Sequence, residues 1–204
     1  MGVNAAVDWA EKIARDDSHG YSQAVRWAPD YDCSSFVISA LEAGGFPMRS
    51  YGATYTGNMG GALKSCGFRK LSKNEYNLTT GAGLKRGDVL LNPATHTELY
   101  AGNGRAVGAH SSETGGKYGK AGDQTGNEIS IQNYRNKNYT EVWRHDESGQ
   151  AFTPDKSNFE SVAWDVIRGN YGNGAERIAR LRAAGYSDSE INKIQQTVNY
   201  LLRK

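Results

Sequence analysis

A cysteine at the start of a helical pattern and a histidine at the start of a strand pattern carry the most evident chemistry of this chain. Cys33 lies in Tyr31-Asp32-Cys33-Ser34-Ser35, ahead of Phe36, Val37, Ala40 and Leu41, which recur at helical spacing until Gly44-Gly45 stops them. Asp32 stands where an N-cap would. Cys33 therefore falls in the first turn, where free backbone N–H groups and the helix dipole favour a thiolate and a pKa below the usual ~8.5. A cysteine nucleophile needs a base, and the chain has four histidines. His96 precedes an apolar run over 97–101, and His110 ends the next run over 105–109, with the hairpin signal Asn103-Gly104 between them. Adjacent antiparallel strands would bring the two imidazoles together, one as base and the other as orienter of its ring. Glu98 shares a strand face with His96 and is the rival orienter. The bland reading stays beside this one: a free cysteine is most often a small buried hydrophobe, and each histidine alone is more often structural. His19, in a polar loop, and His145, at a linker edge, read as surface histidines.

The elements that would position these residues follow from the pattern. A helix is predicted over 4–14, with Val7, Ala10, Ile13 and Ala14 on one side, and a polar, turn-rich stretch follows over 16–32. From Asp88 the texture changes to short strand-like runs at 88–91, 97–101, 105–109, 128–131 and 141–144. Helices first and an antiparallel meander afterwards make an α+β arrangement. Residues 147–157 read as a linker, dividing a domain over 1–146 from a unit over 158–204. That unit shows two capping-box patterns, Ser157-x-x-Glu160 and Ser187-x-x-Glu190, and three apolar helical faces, which predict a small three-helix bundle.

Composition narrows the function classes. Among 204 residues, 38% are hydrophobic and 23% charged, as in an ordinary globular protein. Divided at residue 150, 16 basic residues face 16 acidic ones before it and 8 face 6 after it, so no basic surface of nucleic-acid size is expected. No apolar stretch approaches the ~20 residues that span a bilayer, so no membrane partner is expected. Residues 1–15 lack the apolar run and cleavage site of a signal peptide, so the chain is expected to be made in the cytoplasm. The two cysteines leave a disulfide open. A zinc site made of Cys33, His96 and His110 lacks ligand-like spacing, and no cofactor or metal is implied.

Three motifs in order carry a resemblance: Asp32-Cys33-Ser34-Ser35, then Lys85-Arg86-Gly87-Asp88-Val89-Leu90, then His96-Thr97-Glu98-Leu99-Tyr100-Ala101-Gly102. Over roughly residues 5–145 the chain resembles the NlpC-type papain-like wall peptidases. The resemblance implies a papain-like domain with Cys33 as nucleophile, His96 as base and a polar group on the next strand, here His110, as orienter. It also implies that Tyr21 lines the oxyanion site, and that Asp32 and Ser34 occupy positions which some members use to receive the free amine of the stem peptide. Three positions depart from the family pattern: Ser35 and Glu98 stand where Gly is usual, and Arg86 replaces the usual Pro.

The residues Val162-Ala163, Val166-Ile167, Gly169, Tyr171-Gly172-Asn173-Gly174, Arg177, Leu181, Ala183-Ala184-Gly185-Tyr186, Val198-Asn199 and Leu201-Leu202 resemble the Cpl-seven type of wall-binding repeat. That likeness implies binding to peptidoglycan, glycan strand and stem peptide alike, with Tyr171, Asn173, Gly174 and Arg177 as the expected contacts. Their bland reading is a tight turn and a solvated helix. A single repeat offers little surface, so a homo-oligomer is one expected route to avidity. A catalytic domain joined to a wall-binding repeat implies a phage-type endolysin that cuts a stem-peptide amide, as endopeptidase or N-acetylmuramoyl-L-alanine amidase, and reaches the wall after release. The reading it competes with is a non-catalytic wall-binding protein.

Overall fold

The computed structural model describes residues 2–112, 115–118, 127–145, 159–167 and 169–202. The expected linker and Ser157 of the first capping box lie outside these. The described residues form an α+β protein with six helices and one antiparallel sheet: α1 (Val3–Ile13), α2 (Cys33–Ala43), α3 (Thr56–Ser65), β1 (Arg69–Lys70), β2 (Val89–Asn92), β3 (His96–Gly102), β4 (Arg105–Ala109), β5 (Ile129–Asn133), β6 (Glu141–Arg144), α4 (Phe159–Ile167), α5 (Gly174–Ala183) and α6 (Asp188–Leu201). None of these helices is long and apolar enough to cross a membrane.

The sheet runs β1-β6-β2-β3-β4-β5. Its strands alternate between two apolar layers, as the period of two requires. Val89, Leu91, Leu99, Ala101, Val107 and Ala109 pack against α1, α2 and α3. Leu90, Tyr100, Ala106 and Val142 face the opposite layer, which Leu71 and Tyr76 cover. Helix α2 is buried nearly throughout, from Cys33 to Leu41, because it lies between α1 and the sheet. Gly44 lets α1 and α2 close: a Cβ there would stand 2.8 Å from both the Ala6 Cβ and the Gly2 carbonyl oxygen. The β3–β4 turn holds Asn103 and Gly104 at φ 52° and 69°, the paired left-handed conformation that a two-residue hairpin demands.

Two motif residues act as fasteners. Asp88 is buried and accepts Arg144 Nε at 2.7 Å and Nη2 at 2.6 Å, a two-point pair that ties β2 to β6. Arg86 donates to Asp8, Glu11 and the Ala101 carbonyl, joining α1 to β3.

Helices α4, α5 and α6 share their own apolar cluster, with Val162, Ala163, Val166, Leu181, Ile191, Ile194 and Val198 inside. The cap at Ser187 is reciprocal with Glu190, as the pattern predicts. This unit also touches the first part of the chain: Ser50 Oγ donates to Asp165 Oδ1 at 3.1 Å, and a cleft of about 1010 Å³ runs between Phe46 and Arg49 on one side and Tyr171 and Arg180 on the other.

Candidate active site

The first turn of α2 positions Cys33, the candidate nucleophile. Asp32 Oδ1 accepts the Ser35 N–H at 2.7 Å, and Ser35 Oγ accepts the Asp32 N–H at 2.9 Å, so each caps the other. Ser35 thus completes the cap. Cys33 is buried at N1, and both cysteines are free thiols. The expectation of a lowered pKa needs correction. Burial and then the Asp32 carboxylate push the Cys33 thiol up to about 11, against the opposing pull of the Thr97, Ser34 and Cys33 backbone N–H groups. Desolvation and a like charge outweigh the helix terminus here. At neutral pH Cys33 therefore rests as a thiol.

The candidate base stands at the start of β3. His96 Nε2 lies 3.1 Å from Glu98 Oε1. An ionised carboxylate can only accept, so Nε2 carries the proton and Nδ1 the lone pair. Thr97, the next residue, is the one whose N–H acts on the Cys33 thiol, so the N-terminus of α2 and the start of β3 adjoin. Tyr139 stacks on the His96 ring with centroids 6.2 Å apart and planes at 22°.

Glu98 is the hub. Only 1% exposed, it accepts His96 Nε2, His110 Nδ1 at 3.0 Å, Lys137 Nζ at 2.6 Å and Tyr139 Oη at 2.6 Å. Burial alone would raise its carboxyl. The hydrogen bonds from His110 and His96 and the charge of Lys137 prevail and hold it far below the usual carboxylate range. The same burial and the neighbouring Glu98 charge raise the Tyr139 hydroxyl well above its ordinary value, so it remains a donor.

The sequence favoured His110 in the orienting position and kept Glu98 as its rival. In the structure Glu98 bonds His96, whereas the His110 ring sits 6.1 Å from the His96 ring and bonds Glu98 instead. Glu98 Oε1 lies 3.1 Å from His96 Nε2 and 3.0 Å from His110 Nδ1, so the carboxylate stands between the two imidazoles. Lys137 and Tyr139, in the segment between β5 and β6, were not singled out from sequence. They carry no local motif and meet Glu98 only through the fold. His145, read as a surface residue, packs against Phe46 and Phe68.

Room for this carboxylate comes from Gly108 on β4, where a Cβ would lie 2.6 Å from Glu98 Cγ. Gly108→Ala should therefore cost about 1–3 kcal/mol by overpacking and displace the Glu98 carboxylate from His96. The expected result is a lower Tm by thermal melt, and a variant that melts with the unsubstituted protein would show that the methyl fits without moving Glu98.

Among the described residues, His96, Glu98 and His110 form one group whose ligand atoms lie close enough to hold a metal ion. Cys33 is not part of it. The donors fit a cation poorly, because the Lys137 ammonium already stands 2.6 Å from Glu98 Oε1 and 3.1 Å from His110 Nδ1, and a metal would have to share that space with a like charge.

The remaining expected residues fall in two places. Tyr21 is buried, its Oη accepts Gln23 Nε2 at 3.0 Å, and burial raises its hydroxyl, with Cys33 and Asp32 adding to the rise. Ser34 Oγ donates to Asp32 Oδ1 at 2.8 Å beside the thiol. In the C-terminal unit, Arg177 donates to the Gly172 carbonyl, to Asn173 Oδ1 and to Gln195 Oε1, so it ties the α4–α5 turn to α6. Gly174 takes φ 56° at the start of α5, and Tyr171 lies half-buried against the cluster, its hydroxyl pushed up to about 12 by burial and Asp165.

Residues 28–107 match the family model of the endolysin-like domain, and residues 160–202 match that of the CW_7 repeat, a cell-wall-binding repeat. The first match contains Cys33, His96 and Glu98 but ends before His110 and Lys137. A search of curated proteins finds no match to the chain. The chain thus joins an endolysin-like segment to a wall-binding repeat, and its function is related to the cell wall.

Proposed function

We propose that the chain is a peptidoglycan hydrolase of the endolysin kind that cuts an amide bond of the stem peptide by cysteine nucleophilic catalysis. The observation that carries this reading is the His96–Glu98 pair at the start of β3, beside a cysteine in the first turn of α2, within the endolysin-like match. His96 Nδ1 takes the Cys33 proton as Sγ attacks the amide carbon. The Cys33 backbone N–H and the Tyr21 hydroxyl are the donors assigned to the oxyanion. Collapse breaks the C–N bond, and His96 returns the proton to the leaving amine. Water, deprotonated by His96, then hydrolyses the thioester and frees the acid. Glu98 keeps the imidazole in the required tautomer and stabilises the imidazolium between these steps. The CW_7 repeat holds the enzyme on its polymeric substrate after release from the cell, which raises the local concentration of stems without adding affinity at the active site.

The test uses the whole chain on purified walls, with mass spectrometry of the released fragments. New amine and carboxyl termini on stem fragments should accumulate, thiol alkylation should stop their release, and a chelator should leave it unchanged. Activity that survives alkylation and is lost to chelation would sink the cysteine mechanism in favour of a metal one.

A further inference from the structure

Asp32 does more than cap α2. Its Oδ2 accepts Arg26 Nη1, the same Nη1 donates to Ser34 Oγ at 3.1 Å, and Nη2 donates to the Thr54 carbonyl. Arg26 rides on the loop closed by the Tyr21–Tyr31 bridge, and its guanidinium lies 5.1 Å from the centroid of the Trp27 ring. With the Ser35 N–H and the Ser34 hydroxyl on Oδ1, both oxygens of the Asp32 carboxylate are engaged. The pair is largely sheltered, its side chains 20% and 8% exposed.

A carboxylate with an adjacent hydroxyl, one residue either side of the nucleophile, is the chemical complement of an ammonium group. Here the guanidinium already fills that place. A peptide with a free terminal amine could bind to Asp32 only by displacing a hydrogen-bonded, sheltered ion pair, and removing one partner of such a pair is strongly unfavourable. It would also bring a second positive charge against Arg26. An acylated terminus meets neither penalty, because it is neutral and its carbonyl accepts hydrogen bonds from a guanidinium.

We propose that Arg26 is a specificity residue that closes the Asp32–Ser34 pair to free amines, so that the site selects peptides with an acylated N-terminus. This rests on the stem peptide being the substrate. It assigns the enzyme to stems still joined to their glycan rather than to peptides already released from it.

Binding tests this without requiring a particular scissile bond. Full-length Cys33→Ala protein is titrated calorimetrically with a stem tetrapeptide beginning in a free alanyl amine, and with the same peptide N-acetylated. The acetylated form should bind about tenfold tighter or better. Adding Arg26→Ala should bring the two within about threefold, chiefly by tightening the free-amine peptide. Arg26→Gln, which keeps a donor for Ser34 but not the charge, serves if the alanine variant does not fold by circular dichroism. Equal or tighter binding of the free amine to the Cys33→Ala protein, a preference that persists in the folded Arg26 variants, or no binding of either peptide overturns the proposal. Wall lysis that persists in Cys33→Ala would instead overturn the proposed hydrolase mechanism, and leaves the ratio of the two affinities as a separate readout.

Discussion

Cys33→Ala should abolish wall hydrolysis, on the order of 10⁴-fold or more, because a lost nucleophile removes the whole acyl-enzyme route. Cys66→Ala should keep most of the activity. Cys66 is fully buried at the C-cap of α3 within the main apolar cluster, and burial, then Asp165 and Glu42, push its thiol far above the ordinary range. Its loss leaves a small cavity, which costs about 1 kcal/mol of stability rather than chemistry. The pH dependence sharpens the comparison. With Cys33 raised to about 11, the resting thiol should be alkylated slowly at pH 7 and progressively faster toward pH 10. The stability sign follows from the same shift. The folded state holds the Cys33 proton above the unfolded value of 9.0, so that contribution is complete below pH 9 and is lost as pH rises through about 11. Lysis rates of the two single variants, with alkylation followed by mass spectrometry, decide the matter. A lytic Cys33→Ala protein, or an inactive but folded Cys66→Ala protein, would reverse the assignment.

The parts of this site that could be read from sequence are those held by neighbours in the chain. Asp32 caps α2 three residues from Ser35, and Asn103-Gly104 marks the β3–β4 turn, although the register shifts once between Tyr100 and Gly102, so the helix start at Cys33 and the hairpin that carries His96 follow from local signals. Helix α3 escaped notice because Gly57, Gly60 and Gly61 and several polar residues break its periodicity. Tertiary packing overrides that weak propensity. Met59, Ala62 and Leu63 enter the core, and Gly60 lets the helix approach the Trp143 ring, where a Cβ would stand 3.2 Å away. Lys137, Tyr139 and Arg26 escaped for another reason: each reaches its partner across an irregular segment that has no period to read. Departures from the pattern of the wall peptidases that the sequence resembles were informative instead. Glu98, standing where glycine is usual, is the hydrogen-bonded neighbour of His96, and the glycine appears across the ladder at Gly108, where the carboxylate needs the space.

Glu98→Gln should lower the rate on the order of 10²–10⁴-fold with the fold retained, as happens when the acid behind a catalytic histidine loses its charge. A neutral amide can present its NH₂ to His96, which forces the lone pair onto Nε2 and takes it away from the nitrogen assigned to Cys33. It also stops stabilising the imidazolium formed during attack. Glu98→Ala should be worse for folding, by about 3–5 kcal/mol, because the Lys137 ammonium and the Tyr139 hydroxyl then lose their shared acceptor in a sheltered place. Acid should act in the same direction. The folded carboxyl lies far below its unfolded value of 4.5, so the stability it supplies is complete above about pH 4.5 and is lost as pH falls below it. Glu98→Gln removes that dependence. Its unfolding free energy, measured by urea titration between pH 3 and 7, should vary less than that of the wild type. A Glu98→Gln protein with the wild-type rate would show that His96 keeps its tautomer without help, and a His110→Ala protein with the larger loss would return the orienting role to His110.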